Sequence, residues 1–264
     1  MLIDFHVHCF PDRIADNAIC QLKTNVHYAP VTDGTFGGLS ARLKEWGAGR
    51  AVCLNVATNA HQQASVNAFA ASISNGSSIF AFGSVHGSTP AAEQELYRIA
   101  DLGLKGIKLH PDYQGIDLLD RRMFPIYDTA SELGLLCVFH AGWDPASPDR
   151  TRVVPDGILR LRRLFPRLRM VLAHLGGLAM WDEVEERLAG TGILMDTALI
   201  RGMLSPEQTL RIIRKNGSEN ILFGSDAPWQ SSRATADFLD SLPLSSAEKD
   251  RIFYRNAEEL LEIR

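Results

Sequence analysis

Short apolar runs recur along the chain, separated by longer segments with the spacing of amphipathic helices. Eight of these runs are rich in aliphatic and β-branched residues, which predicts buried strands. In chain order they are LIDFHV, AVCLNVA, IFAFGSV, GIKLH, LLCVFHA, MVLAHLG, GILMDTAL and NILFGSDA. Segments such as AAEQELYRIADLG and SPEQTLRIIRKNG lie between them and have a helical period. The pattern therefore predicts a regular alternation of strand and helix.

The spacing of these units predicts how the strands are arranged. After the second strand the repeat is roughly 24 to 33 residues, the length of one βα unit. Regular alternation favours a parallel sheet, and eight units favour closure into a (β/α)8 TIM barrel. A doubly wound open sheet is the alternative, but no glycine-rich dinucleotide loop follows the first strand. We predict one α/β barrel domain over residues 1–264.

One segment breaks the repeat, because residues 9–38 form a long loop insertion after the first strand. Loops of this length inside a compact domain are usually functional or disordered. The aromatic residues Phe10, Tyr28 and Phe36 favour a packed lid over the barrel mouth. A surface excursion without a role is the alternative.

Composition and charge narrow the functional classes. The chain has 264 residues, of which 45% are hydrophobic and 22% charged, and its net charge is -4. We therefore expect no basic surface for nucleic acid. No apolar run reaches the roughly 18 residues of a membrane span, and the opening MLIDFHVHCF lacks the basic region of a signal peptide. Four cysteines without paired spacing favour reduced thiols and a cytoplasmic protein.

Histidines and one aspartate occupy the predicted strand ends. His6 and His8 lie two residues apart in the first strand, so alternation directs both to one face and Phe5 and Val7 to the other. Later strands end at His140, His174 and Asp226. The C-terminal ends of barrel strands meet at one rim, and imidazole with carboxylate is a donor set that zinc prefers. The pattern predicts a metal site at this rim.

The motifs at these positions also indicate a family. DFHVH, GIKLHPDYQG, FHAGWD, LAHLGG and LFGSDAPW, in this order, resemble the amidohydrolase superfamily, and most closely its amidohydrolase family 2 branch of metal-dependent hydrolases with a TIM-barrel fold. The resemblance implies that His6, His8 and Asp226 bind a divalent metal and that His140 is a further ligand. It leaves His174 as either a second-metal ligand or an acid/base group.

The fourth strand leaves the number of metal ions open. Lys108 and His110 share a face in GIKLHP. In binuclear members of the superfamily a lysine near this position is carboxylated and bridges two metals. Lys108 is therefore this bridge, a cation for a substrate carboxylate, or the partner of a barrel carboxylate. We expect one ion by default and two as the alternative, with zinc preferred and manganese possible.

The expected function is a metal-dependent hydrolase that attacks an amide, ester or lactone carbonyl of a small molecule. A divalent ion lowers the pKa of bound water to about 7. Asp226 is the expected proton acceptor, and His174 polarises the carbonyl or carries the proton. Trp143 and Arg201 are weaker expectations for a pocket wall and for carboxylate binding.

Two other functions stay open at this stage. The same branch contains metal-dependent non-oxidative decarboxylases (lyases) of aromatic or unsaturated carboxylic acids, which would use the same ligands. A barrel that binds a ligand without catalysis is the third reading, although the chain retains every expected ligand and acid/base residue. A homodimer formed through the outer helices is a plausible assembly.

Overall fold

The computed structural model describes residues 1–24, 28–145 and 147–263. Within these residues, each of the eight predicted apolar runs contains a strand. The strands are β1 (Ile3–Val7), β2 (Arg50–Leu54), β3 (Ile79–Phe82), β4 (Gly106–Leu109), β5 (Leu136–Phe139), β6 (Arg169–Leu172), β7 (Leu194–Asp196) and β8 (Ile221–Leu222).

Backbone hydrogen bonds close these strands into a barrel. β1 to β3 form one parallel set and β4 to β8 form another. On one side Gly83, just after β3, donates its N–H to the Gly106 carbonyl of β4 at 2.9 Å. On the other side Phe5 of β1 donates to the carbonyl of Phe223, just after β8, at 2.7 Å. The predicted (β/α)8 TIM barrel is confirmed.

Helices follow the strands along the chain. They are α1 (Asp12–Lys23), α2 (Phe36–Trp46), α3 (Gln63–Ile73), α4 (Ala92–Asp101), α5 (Pro111–Gln114), α6 (Phe124–Glu132), α7 (Pro155–Leu164), α8 (Trp181–Glu183), α9 (Pro206–Asn216), α10 (Ser232–Asp240), α11 (Ser246–Asp250) and α12 (Asn256–Leu261). Ser205 caps α9 by accepting a hydrogen bond from Gln208 N, which satisfies an otherwise unpaired donor of the first turn. Among the described residues, no helix has both the length and the apolar character needed to cross a bilayer.

Two apolar layers flank the strands. The inner layer fills the barrel with residues such as Phe5, Phe82 and Val138, and it includes Leu261 of α12. Glu258 of α12 also pairs with Arg50, the first residue of β2, at 3.1 Å. The helix α12 therefore covers the N-terminal end of the barrel. A surface cleft of about 760 Å³ along this helix is remote from the histidines, which lie at the opposite end.

The segment after β1 is not a simple loop. Residues 9–38 contain helix α1, whose buried positions Ala15 and Ile19 are one turn apart. The ends of the segment are tied together by a bridge between Phe10 and Thr35. The Val31 amide also donates to the Pro228 carbonyl after β8 at 2.7 Å, which places this segment beside the strand ends. Residues 25–27 lie outside the described residues, and the lid stays a prediction.

The prediction that side chains alternate strictly between the two faces of β1 is wrong, because the strand contains a bulge. Asp4 pairs with Ala51 of β2 and Val7 pairs with Cys53, so three steps along β1 match two along β2. Ile3 and Phe5 lie in the inner layer, and the extra residue turns Val7 into the outer layer against the helices. A bulge of this kind re-aims the side chains that follow it.

Candidate active site

Three side chains converge where β1 and β8 end. The Nε2 atoms of His6 and His8 are 3.1 Å apart. Asp226 Oδ1 lies 3.2 Å from His6 Nε2 and 3.1 Å from His8 Nε2. Ligands bound at about 2.1 Å to one ion lie about 3.0–3.4 Å from each other. The separations in this metal-binding triangle, formed by His6, His8 and Asp226, match such a shell.

The hydrogen bonds of the Nδ1 atoms of His6 and His8 determine which ring nitrogen carries the proton and which carries a lone pair. His8 Nδ1 donates to the Leu54 carbonyl at 2.7 Å, since a carbonyl oxygen only accepts. His6 Nδ1 donates to Asp196 Oδ2 at 2.8 Å. In the neutral rings both Nε2 atoms then carry lone pairs, which face each other and the Asp226 carboxylate. Three acceptors at this distance repel one another unless a cation lies between them, so this donor set fits a divalent metal.

The electrostatic environment keeps protons off the triangle. Burial lowers the pKa of His6 well below its usual value, and the charge of Lys108 lowers it further. Burial alone would raise the pKa of the Asp226 carboxyl, but His6, His8 and His174 outweigh burial and hold that pKa below its usual range. The imidazole of His6 is therefore neutral and the carboxyl of Asp226 ionised, which is the protonation state that binds metal.

Asp226 is held in an unusual backbone conformation. Its φ is +68°, in the left-handed region that a residue with a side chain occupies at a cost of about 1–3 kcal/mol. Its amide donates to the His6 carbonyl at 2.9 Å, and its carbonyl accepts from Trp229 N at 2.8 Å. These bonds fix the carboxylate against the histidine pair.

Asp196, at the end of β7, orients His6. Besides the bond to His6 Nδ1, its Oδ1 accepts from the amides of His174 and Ala198, each at 3.0 Å. The side chain is fully buried, and burial raises its pKa against the opposing effects of His174 and Lys108. A carboxylate behind a ligand histidine fixes its tautomer and raises its basicity.

A second group of side chains adjoins the triangle. The rings of His110 and His140 are stacked with their centroids 4.1 Å apart. Asp144 Oδ2 lies 3.4 Å from His110 Nε2 and 3.6 Å from His140 Nε2, so these three also have the spacing of metal ligands. However, His110 Nδ1 accepts from the Tyr113 amide at 3.4 Å. A neutral His110 then carries its proton on Nε2, facing Asp144, so this group is arranged for hydrogen bonding.

His174 lies between the two groups. Its Nδ1 donates to the Ala198 carbonyl at 3.0 Å, and its Nε2 lies 3.0 Å from His140 Nδ1. Its ring centroid is 5.4 Å from that of His6 and 4.8 Å from that of His140. The structure therefore places His140 next to His174 and outside the triangle. The ring nitrogens of these two histidines that face each other are close enough to share one proton.

Lys108 brings a buried positive charge to the same end of the barrel. It lies in β4 with 1% of its surface exposed, and its Nζ has no hydrogen-bond partner among the described residues. Burial lowers its pKa to about 8, opposed by the carboxylates of Asp196, Asp226 and Asp144. The side chain is thus mostly protonated at neutral pH. A buried ammonium without an acceptor is costly unless an anion joins it.

The remaining predicted residues are less involved. Trp143 is partly buried, and its carbonyl oxygen lies 3.4 Å from His140 Nε2. Arg201 is exposed, and its carbonyl oxygen accepts a hydrogen bond from Gln230 Nε2 at 2.8 Å. Sequence reasoning missed Asp4, a fully buried carboxylate in β1. A charged residue inside an apolar strand, two positions before His6, was the available signal.

Comparison with known proteins places this site in a family. A family model described as Amidohydrolase matches residues 3–263. No curated protein sequence matches the chain significantly.

Solved structures match the chain over almost its whole length. An uncharacterised TIM-barrel protein from Bordetella bronchiseptica has 19% identity and a TM-score of 0.80, covering 99% of this chain and 98% of its own. A 2,6-dihydroxybenzoate decarboxylase complexed with 2,6-dihydroxybenzoate has 17% identity and a TM-score of 0.75, covering 99% of both chains. A 5-carboxyvanillate decarboxylase from Novosphingobium aromaticivorans with bound manganese has 15% identity and a TM-score of 0.75, covering 100% of this chain and 97% of its own. At these identities the matches establish a shared fold.

This comparison contradicts the prediction, made from the sequence, that the protein is a hydrolase. Three further matching structures are described as decarboxylases, whereas two others are described only as amidohydrolases. The physical reason is that both chemistries use the same barrel and the same kind of metal site, so motifs at strand ends do not choose between them. A divalent metal is supported by the family and the triangle, but zinc is not specifically supported, since the bound ion described is manganese.

Proposed function

Because the chain belongs to the amidohydrolase family, we propose that it is a metal-dependent, non-oxidative decarboxylase of a hydroxylated aromatic carboxylic acid. The observation that carries this proposal is the match, over nearly the full length of both chains, with decarboxylases of 2,6-dihydroxybenzoate and 5-carboxyvanillate. The buried ammonium of Lys108, which has no hydrogen-bond partner in the described ranges, supports it, because such a group favours an anionic substrate.

We assign the metal site to the triangle. His6, His8 and Asp226 would hold one divalent ion, whereas His140, the further ligand expected from the sequence, lies outside this triangle and is assigned to proton transfer below. When bound, the ion supplies a Lewis acid that polarises the oxygen atoms of the substrate. Manganese is the first choice, since it is bound in similar decarboxylases, and zinc is the second, since nitrogen and carboxylate donors accept both ions.

The reaction replaces the carboxylate substituent of the aromatic ring by a hydrogen atom. The carbon–carbon bond to the carboxylate breaks and releases carbon dioxide, and a proton forms a carbon–hydrogen bond at the same ring carbon. A ring hydroxyl ortho or para to this carbon supplies electron density while both bonds coexist. The reaction consumes one proton and does not consume water. Asp226 is therefore no longer expected to accept a proton from water, and we assign it only as a metal ligand.

We assign the proton to the His140–His174 pair. Their facing nitrogens are 3.0 Å apart, so a proton can pass between them. Burial, together with His110 and His174, lowers the pKa of His140 well below its usual value, which favours its neutral form. The pair can take up one proton from solvent and deliver it to the ring carbon.

We assign Lys108 to the substrate as an ammonium group. A carboxylated lysine would need a second ion, and the natural ligands of that ion are His140 and His174. We instead assign the facing nitrogens of these histidines, 3.0 Å apart, to proton transfer. With a pKa of about 8, Lys108 stays mostly charged at neutral pH and can bind the substrate carboxylate or an ionised ring hydroxyl.

A substrate panel tests the proposed reaction. The manganese-loaded protein is incubated with mono- and dihydroxybenzoates and, in parallel, with aryl esters, lactones and anilides. We expect carbon dioxide release from at least one hydroxybenzoate, with one deuterium incorporated at the former carboxylate position when the reaction runs in D2O. The His174→Asn variant should slow this release by about 10²–10⁴-fold. Turnover of the esters or lactones alone, without carbon dioxide, would contradict the proposal.

A further inference from the structure

The bulge in β1 decides where His6 points. Phe5 faces the barrel interior, so strict alternation would send His6 outward together with Asp4 and turn Val7 inward. The extra residue reverses this order. Val7 packs in the outer layer, and His6 meets Asp196 inside the barrel.

A bulge leaves one amide outside the regular ladder, and here it is the amide of His6. The amides of Phe5 and His8 donate to carbonyls on the β8 side, each at 2.7 Å. The amide of His6 instead donates to Asp4 Oδ1 at 3.2 Å. The Asp4 side chain therefore satisfies the donor that the bulge sets free, which a buried amide requires.

The same carboxylate also binds the segment that carries Asp226. Asp4 Oδ1 accepts from the Ser225 amide at 3.0 Å, one residue before Asp226. Asp4 Oδ2 accepts from Ser232 Oγ at 2.6 Å, at the start of α10. Asp4 is fully buried, and both of its oxygens have partners. One side chain thus joins the bulge, the loop after β8 and an outer helix.

We propose that Asp4 is a positioning residue of the metal centre: it holds the β1 bulge and the loop after β8 in register, and so aims His6 and Asp226 at the same point. Asp4 lies on the outer side of β1 and acts through its neighbours. This inference rests on the metal centre of the proposed function but not on the reaction that takes place there.

Metal affinity tests this role. Manganese binding to the metal-stripped full chain is measured by competition with a chelating indicator. Asp4→Ala removes all three hydrogen bonds and should weaken binding about 10- to 100-fold, the usual effect of losing a group that supports metal ligands. Asp4→Asn keeps an oxygen for the two amides and should bind manganese nearly as the wild type does. If Asp4→Ala does not fold, Asp4→Ser, which is too short to reach both amides, takes its place.

A control variant separates positioning from general stability. Leu239→Ala creates a cavity at a buried position of α10 that makes none of the Asp4 hydrogen bonds. It should lower the thermal midpoint of the metal-free protein and leave manganese affinity unchanged. If Asp4→Ala binds manganese as tightly as the wild type, or if Leu239→Ala weakens manganese binding as much as Asp4→Ala does, the positioning role of Asp4 is overturned and the metal centre itself is not. A wild-type chain that binds no manganese overturns the metal centre as well.

Discussion

The Asp226→Asn variant is expected to lose carbon dioxide release by at least about 10³-fold, because an amide oxygen replaces the only carboxylate of the triangle. Metal contributes several kcal/mol to such reactions, and each 1.36 kcal/mol is a factor of ten in rate. Asparagine is the informative substitution here, since it tolerates the left-handed φ of +68° at this position and leaves the backbone in place. Initial rates at saturating manganese measure the effect.

A matched control isolates the role of that carboxylate. Asp240 lies on the exposed side of α10 and pairs with Lys249 at 2.8 Å. Asp240→Asn makes the same chemical change at a surface site and should leave both activity and metal content unchanged. If Asp226→Asn kept activity within tenfold of the wild type, Asp226 would not belong to the metal centre.

Lys108→Met is expected to raise KM by about 30- to 5000-fold, with a smaller effect on kcat. Removing one partner of a buried charged contact costs about 2–5 kcal/mol of binding. Methionine has a similar length and suits the buried position. The variant also removes an ammonium that has no hydrogen-bond partner within the part of the chain that the structure describes, so the thermal midpoint measured without metal or substrate should rise. Steady-state kinetics and a thermal melt provide the two measurements.

Lys105→Met is the matched control for Lys108. Lys105 precedes β4, and it contacts Glu262 at 3.9 Å with 39% of its side chain exposed. The control should leave KM at the wild-type value. An unchanged KM in Lys108→Met would remove Lys108 from substrate binding. Loss of one of two metal equivalents in this variant would instead support a carboxylated lysine bridging two ions.

The barrel was predictable from the sequence because buried parallel strands are continuous apolar runs. Runs such as LLCVFHA and MVLAHLG have this character, and their regular spacing sets the number of units. Helix α1 was missed because the stretch around it was long, and its two buried positions, Ala15 and Ile19, gave a weak helical signal. The bulge in β1 was missed for a different reason. It depends on pairing with β2 and on Asp4, and a linear pattern does not record either.

The site was predictable in its position but not in its division into two groups. Strand ends place His6, His8 and Asp226 at one rim, and the structure brings them together. Ring orientation, however, depends on groups from other strands, such as the Leu54 carbonyl and the Asp196 carboxylate. Chain order alone therefore did not show that His140 faces His174. The chemistry was also beyond the motifs, because one barrel rim serves both hydrolysis and decarboxylation.

Titration of the metal-stripped protein with manganese tests the central claim most directly. Carbon dioxide release from a carboxyl-labelled hydroxybenzoate is recorded as a function of the manganese added per chain. We predict no release without metal, a linear rise, and a plateau at a single equivalent, with no rise at all in the His6→Ala/His8→Ala double variant. Full release from the stripped wild-type protein, or an equal rise in the double variant, would contradict a metal-dependent decarboxylase built on this triangle.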